Sequence, residues 1–210
     1  GPHPIVVFGT PEQKARWIPR LVEGKDQCAF GFTEPDAGLN TTAIKTFAQK
    51  VPGGYLVHGQ KVWTSTAQVA SKIMLLTRTT KLEDCKRPTD GITIFYTDLD
   101  RSKIDVHRIP KMGRKAVDSN ALFIDGLFIP EADRIGEEGK GFSYILHSLN
   151  PERLLVAAEA IAIGQDALRR ATQYVAPSGT LSTTTEYVSS RSTCHSPPWA
   201  SIHALSGAPS

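Results

Sequence analysis

Cysteine is scarce in this chain of 210 residues, and the three that occur, Cys28, Cys85 and Cys194, lie far apart. Because there is no Cys-x-x-Cys pair, we expect neither a disulfide framework nor a zinc site built on cysteine, and free thiols in a reducing compartment are favoured. The six histidines show no ligand spacing, so we predict no metal site.

Long apolar runs and a strong charge of either sign are also missing. No stretch approaches the ~18–20 apolar residues that a membrane span needs, and no basic leader precedes an apolar segment. The formal net charge is only +3 and the basic residues are scattered, which argues against a nucleic-acid-binding surface. The chain begins without methionine, which favours a fragment. The mitochondrial matrix and the cytoplasm therefore both stay open as compartments.

The first clear element is a helix that starts at Thr10. This threonine is a suitable N-cap, Pro11 suits the first helical position, and Gln13 completes a capping box. We expect Trp17 to point inward and the helix to end at Gly24.

From Cys28 to Pro130 the pattern is that of β-strands. Pro52-Gly53-Gly54 separates strands at 44–50 and 55–63, which is a hairpin signal. Strands joined by hairpins and loops, without helices between them, predict an antiparallel barrel or sandwich of about 100 residues. They argue against a doubly wound nucleotide-binding fold. The further predicted strands are 72–77, 92–96, 104–109 and 121–129.

A long apolar face between Gly141 and Val175 predicts a helix buried in a bundle, with Pro151 inside it. One helix cannot bury such a face alone, so it needs partners that the rest of the chain does not obviously supply. Residues 176–210 are rich in Ser, Thr and Pro and poor in charge, which is typical of a disordered or non-native tail. A frameshift, an alternative splice or a gene-model error at Val175 would explain this change.

Two segments carry the chemistry. The segment from Phe30 to Asn40 is a short β-type run that breaks into a loop at Pro35 and Gly38. The segment Lys61-Val62-Trp63-Thr64-Ser65-Thr66 places an aromatic ring beside three hydroxyls. Together they offer polar groups and flat apolar surface, the combination that a flavin needs. On composition alone, however, Trp63 would be an ordinary core aromatic.

These segments resemble the acyl-CoA dehydrogenase family, and the resemblance covers roughly residues 8–175. The stretch 30–38 is similar to the family signature aromatic-x-x-Thr-Glu-Pro-x-Ala-Gly, and 59–63 to its Gly-x-Lys-x-Trp segment. Two further family blocks match 123–130 and 139–142. The resemblance implies an α+β fold with an antiparallel β-barrel middle domain. The implied domains are the end of a helical domain (1–26), the barrel (27–135), the first long helix of a four-helix bundle (136–175) and the tail (176–210).

The same resemblance implies FAD as the cofactor, lying between barrel and bundle. Phe30, Phe32 and Thr33 would line the flavin ring and donate to its polar edge. Trp63, Thr64 and Ser65 would cover the other side of the ring and form hydrogen bonds with it. Leu39 stands where many members have serine, so a hydroxyl contact to flavin phosphate or substrate is lost there. The residues implied to bind the cofactor are Phe30, Phe32, Thr33, Leu39, Trp63, Thr64 and Ser65.

The implied reaction is α,β-desaturation of an acyl-CoA thioester, in which a carboxylate removes the α-proton and the β-hydrogen passes as hydride to the flavin. Most members carry this base on a later loop, whereas isovaleryl and long-chain types carry it on the first bundle helix, immediately before an arginine. Glu152 holds that position, and Leu39, Asn150 and Arg153 are implied to contact the substrate. A base there has to be partly desolvated to work near neutral pH. Glu152 as a plain helix-surface carboxylate stays open, as does a base in the missing C-terminal part.

The implied partners are an electron-transfer flavoprotein or a similar acceptor, and further copies of the chain in a homo-oligomer. A family block of the type Arg-x-x-Phe-Gly is absent from the sequence. The alternative is therefore a catalytically inactive truncated fragment that binds flavin weakly or associates with intact subunits.

Overall fold

The protein is described here from a computed structural model, and the structure describes residues 2–175. The predicted tail at 176–210 lies outside the described residues. The helices are α1 (His3–Phe8), α2 (Pro11–Val22) and α3 (Gly141–Val175). The strands are β1 (Cys28–Gly31), β2 (Phe47–Val51), β3 (Gly54–Ser65), β4 (Lys72–Arg78), β5 (Ile92–Asp98), β6 (Ile104–Arg108), β7 (Ser119–Pro130) and β8 (Arg134–Ile135).

Helix α2 begins as the sequence predicts. The Thr10 hydroxyl accepts a hydrogen bond from the Gln13 amide at 3.2 Å, and the Gln13 side chain accepts one from the Thr10 amide at 3.0 Å. This reciprocal capping box satisfies two amides that the first helical turn leaves without partners. The helix includes Pro19 and ends at Val22, slightly before the predicted Gly24. Trp17 is buried, as expected.

The strands form one sheet in the order β6-β7-β3-β2-β4-β5-β8, and most neighbours are antiparallel. The predicted hairpin between β2 and β3 is confirmed. Its closing pair is Val51 and Gly54, and Gly53 has a φ of +81°, a conformation that glycine adopts without steric cost. Strand β1 pairs in parallel with β4, and that pairing was not foreseen.

The predicted α+β class is confirmed, while the predicted closure into a barrel is not seen. Among residues 2–175, β6 and β8 are the two ends of the pairing order, so the sheet is open. β8 has only two residues, which leaves little backbone for pairing with a further strand. The four-helix bundle stays a prediction.

The sheet is buried on both faces around β4. Side chains alternate across a strand, so Ile73 and Leu75 belong to one apolar cluster while Met74 and Leu76 belong to another. We call the second one the helix-side cluster, because it also contains Ile5 of α1, Trp17 of α2 and Ile145 of α3. Four successive residues of β4 are buried because both faces of the sheet are covered there, and this is why the sequence of β4 is continuously apolar and does not alternate.

The chain divides within α3 into two compact units, Gly1–Glu152 and Arg153–Ser210. In the first unit, Ile145 is buried in the helix-side cluster. In the described part of the second unit, the apolar side chains are exposed, for example Leu154 at 74% and Ile161 at 63%. Pro151 lies inside α3, as predicted. Within residues 2–175, no helix combines the length and apolar character that crossing a membrane requires.

Cys28 and Cys85 carry free thiols, and Cys194 lies outside the described residues. Burial raises the pKa of the Cys28 thiol to about 12, so this half-buried group stays protonated and unreactive near neutral pH. In the described part of the chain, no three His, Cys, Asp or Glu side chains are grouped so that they could hold a metal ion.

Candidate functional site

The two segments singled out from the sequence meet in the structure. The Val62 amide on β3 donates to the Thr33 carbonyl at 2.9 Å. Gly31, just before this loop, allows close packing of β1 on β4, because a Cβ there would come within 2.9 Å of the Leu75 side chain. The end of β1 and the loop after it therefore lie directly against the last third of β3.

A buried ion pair spans this junction. The Lys61 ammonium lies 2.8 Å from a Glu34 carboxylate oxygen, and the two side chains are 0% and 6% exposed. Burial lowers the pKa of Lys61 to about 8, although Glu34 acts to raise it. Desolvation opposes ionisation of Glu34, yet the positive charge of Lys61 and the backbone amide of Lys45 hold its pKa below the usual value. Glu34 thus has an ionic role that the sequence did not reveal.

Trp63 sits on an irregularity of β3. Lys61 pairs with Leu122 and Thr64 with Asn120, so β3 contains one extra residue between these pairs. Trp63 has a φ of +60°, which costs a residue with a side chain roughly 1–2 kcal/mol. In a regular strand Trp63 would share the buried face of Lys61. On this irregularity, which we call the Trp63 bulge (Val62 to Thr64), the residue is 60% exposed.

Of the remaining ring-lining candidates, Thr64 and Ser65 lie at the end of this bulge and directly after it, and the others lie on β1 and the loop that contacts the bulge. Phe30 and Phe32 are half-buried, with ring centroids 5.3 Å apart in an edge-to-face arrangement, and they pack against the helix-side cluster. Thr33 is half-buried and Ser65 is exposed. Thr64 is buried, and its hydroxyl has no hydrogen-bond partner among the described residues.

A residue that the sequence left unassigned supports the bulge from β7. Asn120 is fully buried and its side-chain amide donates to the Thr64 carbonyl at 2.9 Å and to Asp118. Its oxygen accepts a hydrogen bond from the Gln68 side chain at 2.8 Å. A polar Asp-Ser-Asn run at the start of an otherwise apolar strand was the available signal, but its partner on β3 follows only from the pairing register.

The other predicted site residues are all exposed. Leu39 is fully exposed in the loop after β1. Asn150 and Glu152 are exposed on α3 at the end of the first unit, and Arg153 is exposed at the start of the second. The roles predicted for them remain predictions.

The junction suits one side of a flavin. An indole is turned outward at a cost in backbone energy, two phenyl rings flank the loop, and an exposed hydroxyl follows at Ser65. The Thr64 hydroxyl lies beneath this surface, buried and without a hydrogen-bond partner among the described residues. A flat ring with a polar edge would use both the apolar surface and these polar groups.

Comparison with known proteins agrees with this chemistry. Residues 29–127 match the family model of the acyl-CoA dehydrogenase middle domain. A mitochondrial isovaleryl-CoA dehydrogenase from Oryza sativa subsp. japonica is 31% identical over 172 residues, which are 81% of this chain and 41% of that protein. The chain thus spans about two fifths of the length of such curated relatives.

Two solved structures give the same result. An acyl-CoA dehydrogenase from Geobacillus kaustophilus superimposes with a TM-score of 0.76 at 32% identity, covering 85% of this chain and 47% of that chain. Butyryl-CoA dehydrogenase from Megasphaera elsdenii superimposes with a TM-score of 0.73 at 30% identity, covering 86% of this chain and 46% of that chain.

Proposed function

The chain belongs to the acyl-CoA dehydrogenase family, and on that premise we propose that it supplies part of the FAD site of an enzyme that desaturates acyl-CoA thioesters. Homologous acyl-CoA dehydrogenases are FAD-dependent flavoproteins. The observation that carries the proposal is the Trp63 bulge, which turns an indole outward within a segment that matches the family.

Each residue of the junction has a part in holding the cofactor. Phe30, Phe32 and Trp63 offer aromatic surface to the ring system. Thr33, Thr64 and Ser65 offer hydroxyls to its polar edge. When bound, FAD supplies the acceptor for the β-hydrogen and its electron pair, so the protein's task is to hold and orient.

Glu152 is the proposed base. Its carboxylate oxygen takes the α-proton of the acyl thioester, and the electron pair of the broken C–H bond goes into the new α,β double bond. The resemblance supports this assignment, because Glu152 directly precedes Arg153 on the first long helix after the sheet. Asn150, Arg153 and Leu39 are proposed to contact the acyl-CoA.

The proposed partners follow the same premise. Reducing equivalents would leave through an electron-transfer flavoprotein or a similar acceptor. Further copies of the chain in a homo-oligomer would cover the exposed apolar side chains of residues 153–175. The free thiols of Cys28 and Cys85 suit a reducing compartment, either the mitochondrial matrix or the cytoplasm.

Binding and turnover can be tested separately. The purified chain is titrated with FAD and binding is followed by flavin absorbance and fluorescence. Isovaleryl-CoA and butyryl-CoA are then added without oxygen, and the flavin absorption band is expected to bleach. If FAD does not bind, the proposed function is wrong.

The base is tested with Glu152→Gln, using Glu159→Gln on the same helix as a matched control. We expect the first variant to bind FAD normally and to bleach at least about 100-fold more slowly, since the proton acceptor is gone. Bleaching at the wild-type rate would remove Glu152 from the mechanism. FAD binding without any bleaching in the wild-type chain would favour the inactive fragment.

A further inference from the structure

The structure points to a role for two residues that do not themselves bind the cofactor. We propose that Glu34 and Lys61 are positioning residues that assemble the flavin-facing junction before any cofactor arrives, by fastening the loop after β1 to the Trp63 bulge. The identity of the ligand rests on the proposed function, whereas the fastening itself does not.

Lys61 holds the loop at two points. Its ammonium donates to Glu34 at 2.8 Å and to the Phe32 carbonyl at 3.2 Å. The second bond fixes the backbone between the Phe32 ring and Thr33, the two groups proposed to meet the flavin. Lys61 also directly precedes the Trp63 bulge, so one side chain sets the distance between the loop and the indole.

Glu34 brings in a third segment. One carboxylate oxygen accepts the Thr46 amide at 3.0 Å and the other accepts the Lys45 amide at 2.6 Å. These amides lie just before β2. The Arg78 guanidinium on β4 donates to backbone carbonyls and not to the Glu34 carboxylate. One of these acceptors is the Ile44 carbonyl, at 3.1 Å. The Glu34 carboxylate therefore joins three segments, namely the loop after β1, residues 45–46 just before β2, and Lys61 on β3.

A gain in stability does not by itself explain why a buried ion pair is present at this junction. Two charges brought out of water into an interior are often no more stabilising than two apolar side chains of the same size, because desolvation offsets their attraction. Apolar side chains could not, however, hold the Phe32 carbonyl or the amides of Lys45 and Thr46 in place. Directional bonds to three backbone groups are what the ion pair adds to the fold.

The test removes both charges together, in Glu34→Gln/Lys61→Met. A single substitution would leave one buried charge unpaired and would strongly destabilise the protein for that reason. Lys50→Met/Glu138→Gln is the matched control. It removes an ion pair of the same charges at 3.3 Å, but the side chains are 60% and 32% exposed. Both double variants are made in the whole 210-residue chain.

Three measurements are made on each protein: thermal unfolding, amide hydrogen exchange without flavin, and titration with FAD. For Glu34→Gln/Lys61→Met we expect a Tm within about 4 °C of the wild type. We expect exchange of the Val62 amide to be at least 10-fold faster and FAD to bind at least 10-fold more weakly. The control should change neither the exchange nor the affinity, and β4–β5 amides should stay protected in all proteins.

Each other outcome is decisive. Unchanged Val62 exchange in the flavin-free variant would overturn the proposal, as would faster exchange with unchanged FAD affinity. Global unfolding of the double variant would also overturn it, since the pair would then act as a general stabiliser. If the wild type binds no FAD while Val62 exchange still responds, the proposed function fails and the fastening stands.

Discussion

The Val62 amide and the Thr33 carbonyl, joined at 2.9 Å, connect two segments that are widely separated in the chain. This bond is the backbone link between the loop after β1 and the Trp63 bulge. It sets the aromatic surface of one segment beside the hydroxyls of the other.

Replacing Trp63 with glycine should weaken FAD binding while leaving the stability of the fold almost unchanged. Glycine relieves the positive φ at this position, worth roughly 1–2 kcal/mol, and the lost indole is largely exposed. The free energy of unfolding should therefore stay within about 1 kcal/mol of the wild type, while FAD affinity falls at least 10-fold. Urea unfolding and flavin titration measure the two quantities.

Arg114→Gly is the control for that experiment, because Arg114 has a φ of +49°, lies outside the two flavin-facing segments and has no aromatic ring. It should gain stability and leave FAD affinity unchanged. A loss of more than about 2 kcal/mol in Trp63→Gly would show that the indole is an ordinary core side chain.

Asn120→Ala should weaken the support of the bulge. The Thr64 carbonyl would lose a buried donor, and a buried polar group without its partner costs about 1–3 kcal/mol. Gln68→Ala serves as the comparison, because it removes a bond to Asn120 but leaves the Thr64 carbonyl paired, so the change should be smaller. Equal effects of the two substitutions in urea unfolding would contradict the supporting role of Asn120.

Leu39→Ser should improve ligand binding without affecting the fold. Leu39 is fully exposed, so its removal should change the free energy of unfolding by less than about 0.5 kcal/mol. The added hydroxyl restores a contact of the kind that the resemblance implies, and a hydrogen bond to a charged phosphate is worth about 1.5–3 kcal/mol. We expect FAD or butyryl-CoA to bind at least several-fold more tightly. Leu39→Ala removes the leucine without adding a hydroxyl, and it should bind as the wild type does.

The buried ion pair should leave a signature in the pH dependence of stability. Glu34 has a lowered pKa in the folded protein, so its contribution is complete above its usual value near 4.5 and is lost as the pH falls through the lower, folded value. Lys61 behaves differently, because the folded protein releases its proton near pH 8 while the unfolded chain holds it to about 10.5. Between these values Lys61 makes the free energy of unfolding rise with pH, by at most about 1.4 kcal/mol per pH unit.

Glu34→Gln/Lys61→Met removes both groups, so its difference from the wild type isolates them from all other titrations. Urea unfolding at a series of pH values measures this difference. The free energy of unfolding of the double variant should fall less in acid, and rise less between pH ~8 and ~10.5, than that of the wild type. Parallel pH profiles for the two proteins would mean that neither pKa is shifted by folding.

Local signals in the sequence were sufficient for much of the fold. The capping box at Thr10 and the turn at Gly53 depend on neighbouring residues only, so both could be predicted. Strand β8 could not, because two residues carry no periodicity. The parallel pairing of Cys28 with Lys72 also escaped, since distant strands leave no local mark of their register.

For the candidate site, the sequence predicted a set of residues whose individual roles stay predictions. The types of residue in the two segments indicated a flavin-binding surface, and the family resemblance added FAD as the cofactor. The outward turn of Trp63 was not visible, because a positive φ is expected at glycine or asparagine and not at tryptophan. The Glu34–Lys61 pair was hidden for a different reason, since each residue alone suits an exposed loop or strand end.

The placement of β1 has a consequence for the order of folding. The β2–β3 and β4–β5 pairs each join strands that are close in sequence, so little loop entropy opposes them. Strand β1 pairs with β4 only across the whole β2–β3 hairpin, and contacts between distant residues form slowly. A refolding chain should therefore recover most of its β-sheet signal before Phe30 and Thr33 reach β3, and flavin capture should lag behind the appearance of secondary structure.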